Sequence, residues 1–326
     1  MELLLAGPRG FCAGVSRAVE IVEQVLEVYG PPIFVKHEII HNHQVVADLE
    51  SRGVVFVEDL AAVPPGSALV FSAHGVPPSD RTLAVERGLK VIDATCPLVT
   101  KVHLEAIRYA RRGYHVLYIG HRNHPEPIGT LGEIGSDQGT LVETLAEADA
   151  VEVPDPGRVV VLTQTTLSVQ DTQAILARLK ERFPRLELPP TDDICYATTN
   201  RQRAVAELSK DAELVLVVGS NTSSNSKRLV ETARAAGRPA HLVQRPDEID
   251  PAWLAGISTV ALSSGASAPE YLVQETVARL RELGITSVEE RVVIEEDVTF
   301  PLPRELAEVR KAWADGAIAR PAEATR

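Results

Sequence analysis

The sequence is short of aromatic residues, of cysteine and of long apolar runs, and each shortage removes a class of function. Phe, Trp and Tyr make up 4% of the 326 residues, and 45 acids outnumber 33 Lys and Arg for a formal net charge of −12. That composition lacks both the basic footprint and the stacking platforms of nucleic-acid binding. The longest apolar stretches, such as VVFV at 54 to 57 and LVLVVG at 214 to 219, are too short to cross a bilayer, so no membrane role is expected. The opening MELLLAGPRG has an acid at its second position and a short apolar run, unlike a secretory signal, and a cytoplasmic location is expected. No GxxxxGK loop occurs and no GxGxxG follows the opening strand, which disfavours P-loop and dinucleotide chemistry. Only three cysteines occur, Cys12, Cys96 and Cys195, with no CxxC pair. An odd, widely spaced set is no disulfide framework.

What remains is an ordinary globular composition, 44% hydrophobic. Short β-rich runs alternate with amphipathic segments from end to end, the pattern of an α/β fold with parallel strands. The strand ELLLA at 2 to 6 leads past Cys12 to the helix SRAVEIVEQVLEVYG, where Ala18, Val22, Val25 and Tyr29 fall on one face and Gly30-Pro31-Pro32 stops the helix. A second round runs from LKVIDA through Cys96, and a third from DDICYATTNRQ through Cys195.

The rounds are in step. The next polar loop arrives 29, 28 and 29 residues after the cysteines, at His41, His124 and Ser224, and another follows 33, 41 and 43 residues later at His74, Thr165 and Ser267. Such self-similarity marks three copies of one αβ unit. The spans are 12–95, 96–194 and 195–285, the last joined by strand 2–6. A C-terminal extension covers 286–326, with a polar, Ala-rich tail expected to be mobile after about 312. Ligand groups in parallel sheets gather beyond the carboxyl ends of the strands, so three pseudo-symmetric units can aim three thiols at one point.

Singly, each cysteine is explained as a small buried hydrophobe. Three converging thiolates instead suit a soft metal, and a 4Fe-4S cluster with three protein ligands keeps one iron open. The loops read HEIIHNH, SAHGVPP, GHRNHPEPIGT, TQTTLS, GSNTSSNSK and SSGASAPE. Ser, Thr and Asn before a helix are ordinarily N-caps, yet hydroxyls, amides and imidazoles at helix starts also cradle an anion such as a diphosphate. Glu126 lies between Pro125 and Pro127, which are expected to keep it out of a helix, and a buried carboxyl there can deliver protons. It is otherwise a surface carboxylate. His121, His124 and Glu126 are an alternative zinc set, without an HExxH helix to support it. Reductive chemistry would need electrons from a small redox protein docking near the cluster.

The segments GFCAGVSRAVE, HEIIHN, SAHGVPP, DATCPLVTKVH, HPEPIGTLG, TQTTLSV, DDICYATTNRQ, GSNTSSNSKRLVE and SGASAPE resemble the 4-hydroxy-3-methylbut-2-enyl diphosphate reductase family of isoprenoid synthesis, from about Leu3 to residue 306. The resemblance implies a trefoil of three αβ units around a 4Fe-4S cluster held by Cys12, Cys96 and Cys195. It implies that His41, His74, His124, Ser223, Ser224, Asn225 and Ser267 bind the diphosphate, that Thr165 orients the alcohol, and that Glu126 donates the proton. The electron donor would be a ferredoxin or flavodoxin. Readings from other classes are a non-catalytic phospho-ligand binding protein with buried cysteines and a cysteine hydrolase, which needs one reactive thiolate beside a histidine.

Overall fold

The computed structural model describes residues 1–315. Three parallel sheets carry the chain. β1 (Glu2–Gly7) leads into α1 (Ala13–Tyr29), and the first unit continues through β2 (Ile33–Lys36), α2 (His43–Ser51), β3 (Val54–Val57), β4 (Ala68–Phe71), α3 (Pro78–Glu86) and β5 (Lys90–Asp93). The second holds α4 (Pro97–Arg111), β6 (His115–Ile119), α5 (Pro125–Gly132), β7 (Gly139–Val142), α6 (Leu145–Ala150), β8 (Val159–Thr163) and α7 (Val169–Arg182). The third has α8 (Tyr196–Leu208), β9 (Leu214–Val218), α9 (Ser224–Ala235), β10 (Ala240–Val243), β11 (Thr259–Ser264), α10 (Glu270–Glu282), β12 (Ser287–Val292) and α11 (Arg304–Ala314).

The strand orders are β3-β2-β4-β5, β7-β6-β8 and β10-β9-β11-β1-β12. In the second sheet a parallel bridge between Val160 and Glu187 stands where the others have a fourth strand. The sheets are therefore equivalent over four positions, filled by β5, Glu187 and β1 at the fourth. All pairings are parallel, and the middle strands are apolar on both faces: every residue of β9, LVLVV, is buried. Helices cover both sides, as sheets of this type require. In α1 the buried stripe is Ala18, Ile21, Val22, Val25 and Leu26, and Gly30 at φ 68° ends the helix by returning its N–H to the Leu26 carbonyl.

Several elements depart from the sequence reading. Glu126 lies inside α5, because its prolines occupy the first turn, where backbone N–H groups have no intrahelical partner to lose. Ser224 and Asn225 form the first turn of α9 rather than a loop. The stretch 286–326 is not wholly an appendage: β12 pairs with β1 along its full length, adding an edge strand to the third sheet. Four of its six residues are exposed and none is buried, which blurs the apolar signal. Beyond it, α11 runs to Ala314 and buries Leu306 among the α1 residues, so Trp313 and Ala314, within the stretch read as mobile, are helical. The remainder of that tail, 316–326, lies outside the described residues. Among the described residues no helix is long and apolar enough to cross a membrane.

Candidate active site

Each cysteine occupies the same structural position. Cys12, Cys96 and Cys195 are the N-cap residues of α1, α4 and α8, and none of their side chains makes a capping bond. Each donates its backbone N–H to the loop after the third-position strand of the preceding sheet: Cys12 to the Ala266 carbonyl at 3.3 Å, Cys96 to Ala73 at 3.0 Å, Cys195 to Thr165 at 3.0 Å. Three helix N-termini, each with a positive dipole end, thus meet at three sulfurs. The approach is close. A Cβ placed on Gly14 would stand 2.6 Å from the Cys96 Sγ and 3.9 Å from the Cys12 Sγ, which holds those two sulfurs within the sum of the two distances.

None of the thiols is in a disulfide. Burial, with the neighbouring Cys12 adding repulsion, pushes the Cys96 thiol up to about 12 and the Cys195 thiol up to about 11. Metal-free, both are protonated at neutral pH and unsuited to nucleophilic attack, which counts against the hydrolase reading at these two positions. A soft cation would replace the protons and repay the crowding.

Three imidazoles form the other cluster. His41 stacks on His74 with ring centroids 4.1 Å apart, and His124 stands edge-on to both at 5.1 and 5.4 Å. Nitrogens of all three lie within 4.8 Å of one another, a spacing that could hold a metal ion. The hydrogen bonding favours an anion instead. The Nδ1 of His124 accepts the Glu126 backbone N–H at 3.2 Å, so that nitrogen is unprotonated and the other carries the proton as a donor. His41 directs Nδ1 at Glu38 at 3.0 Å and leaves Nε2 buried without a partner. Burial, then repulsion from the other imidazoles, holds His74 and His124 well below the usual histidine range.

Asn225 extends the cradle: it is buried, and both amide atoms lack a partner. Buried orphan donors and acceptors are costly unless a ligand completes them. Ser223 caps α9 by accepting the Ser226 N–H at 3.2 Å, as the ordinary reading of such serines expects. Ser267 does not cap a helix; its hydroxyl donates to the His41 carbonyl at 3.0 Å, tying the third unit to the first. Ser224 donates to the Thr166 carbonyl at 3.1 Å, tying the third to the second.

Glu126 connects the clusters and is 1% exposed. Its Oε1 accepts the Thr165 N–H at 2.6 Å and its Oε2 the Thr165 hydroxyl at 3.1 Å. One hydrogen-bonded series therefore runs from Cys195 through the Thr165 backbone to Glu126, and on to His124. Burial outweighs the Thr165 bonds and raises the carboxyl to about 8, so it keeps its proton at neutral pH.

All twelve residues singled out from the sequence line one cavity. His121 is not among them; it faces Glu143 at 3.1 Å in a neighbouring depression, so the zinc set of His121, His124 and Glu126 does not form. The sequence reading missed Gly14, Thr198, whose hydroxyl lies 3.3 Å from the Cys195 sulfur, and Tyr118, fully buried against Glu126. The third residue after the other two cysteines is Val15 or Val99, so position gave no signal for Thr198; Tyr118 looks like any β-strand aromatic.

Three parallel sheets pooling their strand ends into one pocket of thiols, imidazoles and a protonated carboxyl define a metal-dependent α/β enzyme. The family model described as LytB protein matches residues 3–281, and the chain belongs to that family. It is 55% identical over 310 residues to the 4-hydroxy-3-methylbut-2-enyl diphosphate reductase of Mycolicibacterium paratuberculosis, covering 95% of this chain and 93% of that protein. It is 52% identical over 306 residues to 4-hydroxy-3-methylbut-2-enyl diphosphate reductase 2 of Burkholderia mallei, covering 94% and 93%. The solved structure of E-1-hydroxy-2-methyl-but-2-enyl-4-diphosphate reductase from Plasmodium falciparum superimposes with a TM-score of 0.92 at 40% identity, covering 95% of this chain and 98% of that one.

Proposed function

We propose that the chain reduces 4-hydroxy-3-methylbut-2-enyl diphosphate to isopentenyl and dimethylallyl diphosphate, with Cys12, Cys96 and Cys195 as ligands of a 4Fe-4S cluster. The observation that carries this is the single cavity in which three thiols, a protonated Glu126 and an anion cradle of imidazoles and an unpartnered amide face one another. The near-full-length relatives bearing that name support the choice of substrate.

The reaction replaces an allylic C–OH by C–H: two electrons and two protons enter, and one water leaves. Bound on the three thiolates with one iron open, the cluster supplies low-potential electrons and a Lewis-acidic corner. His41, His74, His124, Ser223, Ser224, Asn225 and Ser267 hold the diphosphate, and that remote binding energy orients the far end of the molecule. Thr165 pins the Glu126 carboxyl through both oxygens and sets its proton toward the hydroxyl. Hydroxide is a poor leaving group; with the Glu126 proton it departs as water. Protonation at one or other end of the allylic system then gives the two isomers, in a pocket closed by three units.

The test is anaerobic purification, counts of iron and sulfide per chain, and dithionite-driven turnover followed by product analysis. A brown protein that forms both diphosphates is expected. A colourless, inactive protein that merely binds the diphosphate would replace this reading with the non-catalytic one.

A further inference from the structure

Every turnover consumes two electrons, so a reductant must reach the thiol end of the cavity from outside. The surface beside Cys96 is built to receive one. From that cap, Pro97, Lys101, Leu104, Arg108 and Arg111 follow at steps of three and four residues and form one outward stripe of α4. Pro97, Lys101, Leu104 and Arg108 line a groove closed on its other side by Arg17 and Thr95. The groove sits on the backbone of the ligand segment: Thr100, also in its wall, directs its N–H and its hydroxyl to the Cys96 carbonyl at 2.9 and 3.3 Å.

Two local explanations account for part of the stripe. Cations suit the last turn of a helix, and Arg108 and Arg112 lie over the Tyr109 ring at 4.9 and 5.4 Å. Neither explains Leu104, which is 61% exposed in the middle of the stripe, nor a groove walled by Thr95 and Pro97, the two neighbours of Cys96. The charge is also against the grain of the molecule. In a chain of net charge −12, Lys101 is occupied by Asp193 at 3.0 Å and Glu105 at 3.6 Å, whereas Arg108, Arg111 and Arg112 enter no ion pair among the described residues. On the stripe Leu104 stands between Lys101 and Arg108 with Arg111 a turn beyond, and an exposed apolar residue beside cations, two of them outside any ion pair among the described residues, is the anatomy of a transient, electrostatically steered interface.

We propose that the α4 stripe is the docking surface for a small acidic one-electron carrier protein, seated with Leu104 at its centre and its redox group over the groove beside Cys96. The inference rests on the reductase reading above, since only a reductase requires such a partner. Each docking oxidises one carrier by one electron, and two dockings account for each hydroxyl released as water.

The holoenzyme is titrated with a strongly acidic plant-type 2Fe-2S ferredoxin. Binding is read from the ferredoxin amide NMR signals at low and high salt, and turnover is driven in parallel by reduced ferredoxin and by dithionite. Reversing the charge with Arg108→Glu and Arg111→Glu together should weaken ferredoxin binding at least tenfold and flatten its salt dependence. Ferredoxin-driven kcat/KM should fall in proportion, with dithionite-driven turnover within twofold of the parent. Leu104→Ser should weaken binding at high salt as well as low. Absence of ferredoxin binding by the parent, unchanged binding by the double variant, or an equal loss in Arg279→Glu with Arg281→Glu, a charge-matched double control on α10, would overturn the proposal. Failure of the parent holoenzyme to turn over with dithionite would instead overturn the reductase reading, and the binding data distinguish the two.

Discussion

Glu126 keeps its proton at neutral pH because it is buried, even though Thr165 offers two hydrogen bonds to its charged form. Substituting Gln preserves the shape and one donor but leaves no acid. Glu126→Gln should therefore retain cluster content and bind the diphosphate within about threefold, while single-turnover product formation under dithionite falls by at least ~10²-fold, the scale of a lost general acid. The imidazoles give the complementary prediction. Free His74 and His124 titrate well below the usual range, so both are neutral at pH 7. A bound polyanion favours the charged form of His74 and raises it, so binding takes up a proton there, whereas His124, whose Nδ1 accepts the Glu126 N–H, serves as a neutral donor. Affinity for the diphosphate should fall as pH rises through neutrality, by up to about tenfold per pH unit for each proton taken up. Calorimetry in buffers of different ionisation enthalpy would show that uptake; a pH-independent affinity would show that His74 does not charge on binding.

At the scale of elements, α1 owes its start to a requirement that helix propensity opposes. Gly14, its second residue, lets the Cys96 sulfur come where a side chain would collide. Ala is the better helix former by up to about 1 kcal/mol, so a purely local account has Gly14→Ala stabilising the protein. The packing predicts otherwise: a variant with unaltered far-ultraviolet circular dichroism but well under half the parental iron and sulfide. The cysteine offsets made the three units and nine of the twelve cavity residues legible, because side chains that must meet at one point are constrained in spacing; Glu126 was singled out by its flanking prolines, and Ser223 and Asn225 by the family resemblance. The helix α1 was legible because its stripe and its stop are both strong signals. What escaped was short or locally contradictory: β7 and β10 have four residues each with mixed burial, β12 has no buried residue and exposes four of its six, and the two prolines of α5 look like breakers although the first turn tolerates them. Gly14 escaped because its role depends on Cys96, 82 positions away in the sequence.

For the molecule as a whole, the three links from Cys12 to Ala266, Cys96 to Ala73 and Cys195 to Thr165 form a ring in which each unit holds the ligand of the next. A metal centre on those thiols is bound by all three units at once, so its binding energy adds to the stability of their association. Anaerobic chelation should lower the melting temperature by about 5 °C or more, equivalent to roughly 3 kcal/mol for a protein of this size. Calorimetry checks this; equal melting points with and without iron would show that the ring closes without help from the metal.

The place of β1 has a bearing on biogenesis. That strand is made first yet lies between β11 and β12, so it must wait, unpaired, for partners that emerge from the ribosome some 250 residues later. Cys195 caps α8, which packs on both β1 and β11. Completion of the three-thiol site is thereby deferred until translation is nearly finished, and a nascent chain arrested before residue 259 would hold Cys12 at the head of a helix packed in the first unit while α8 still lacked the β11 beneath it.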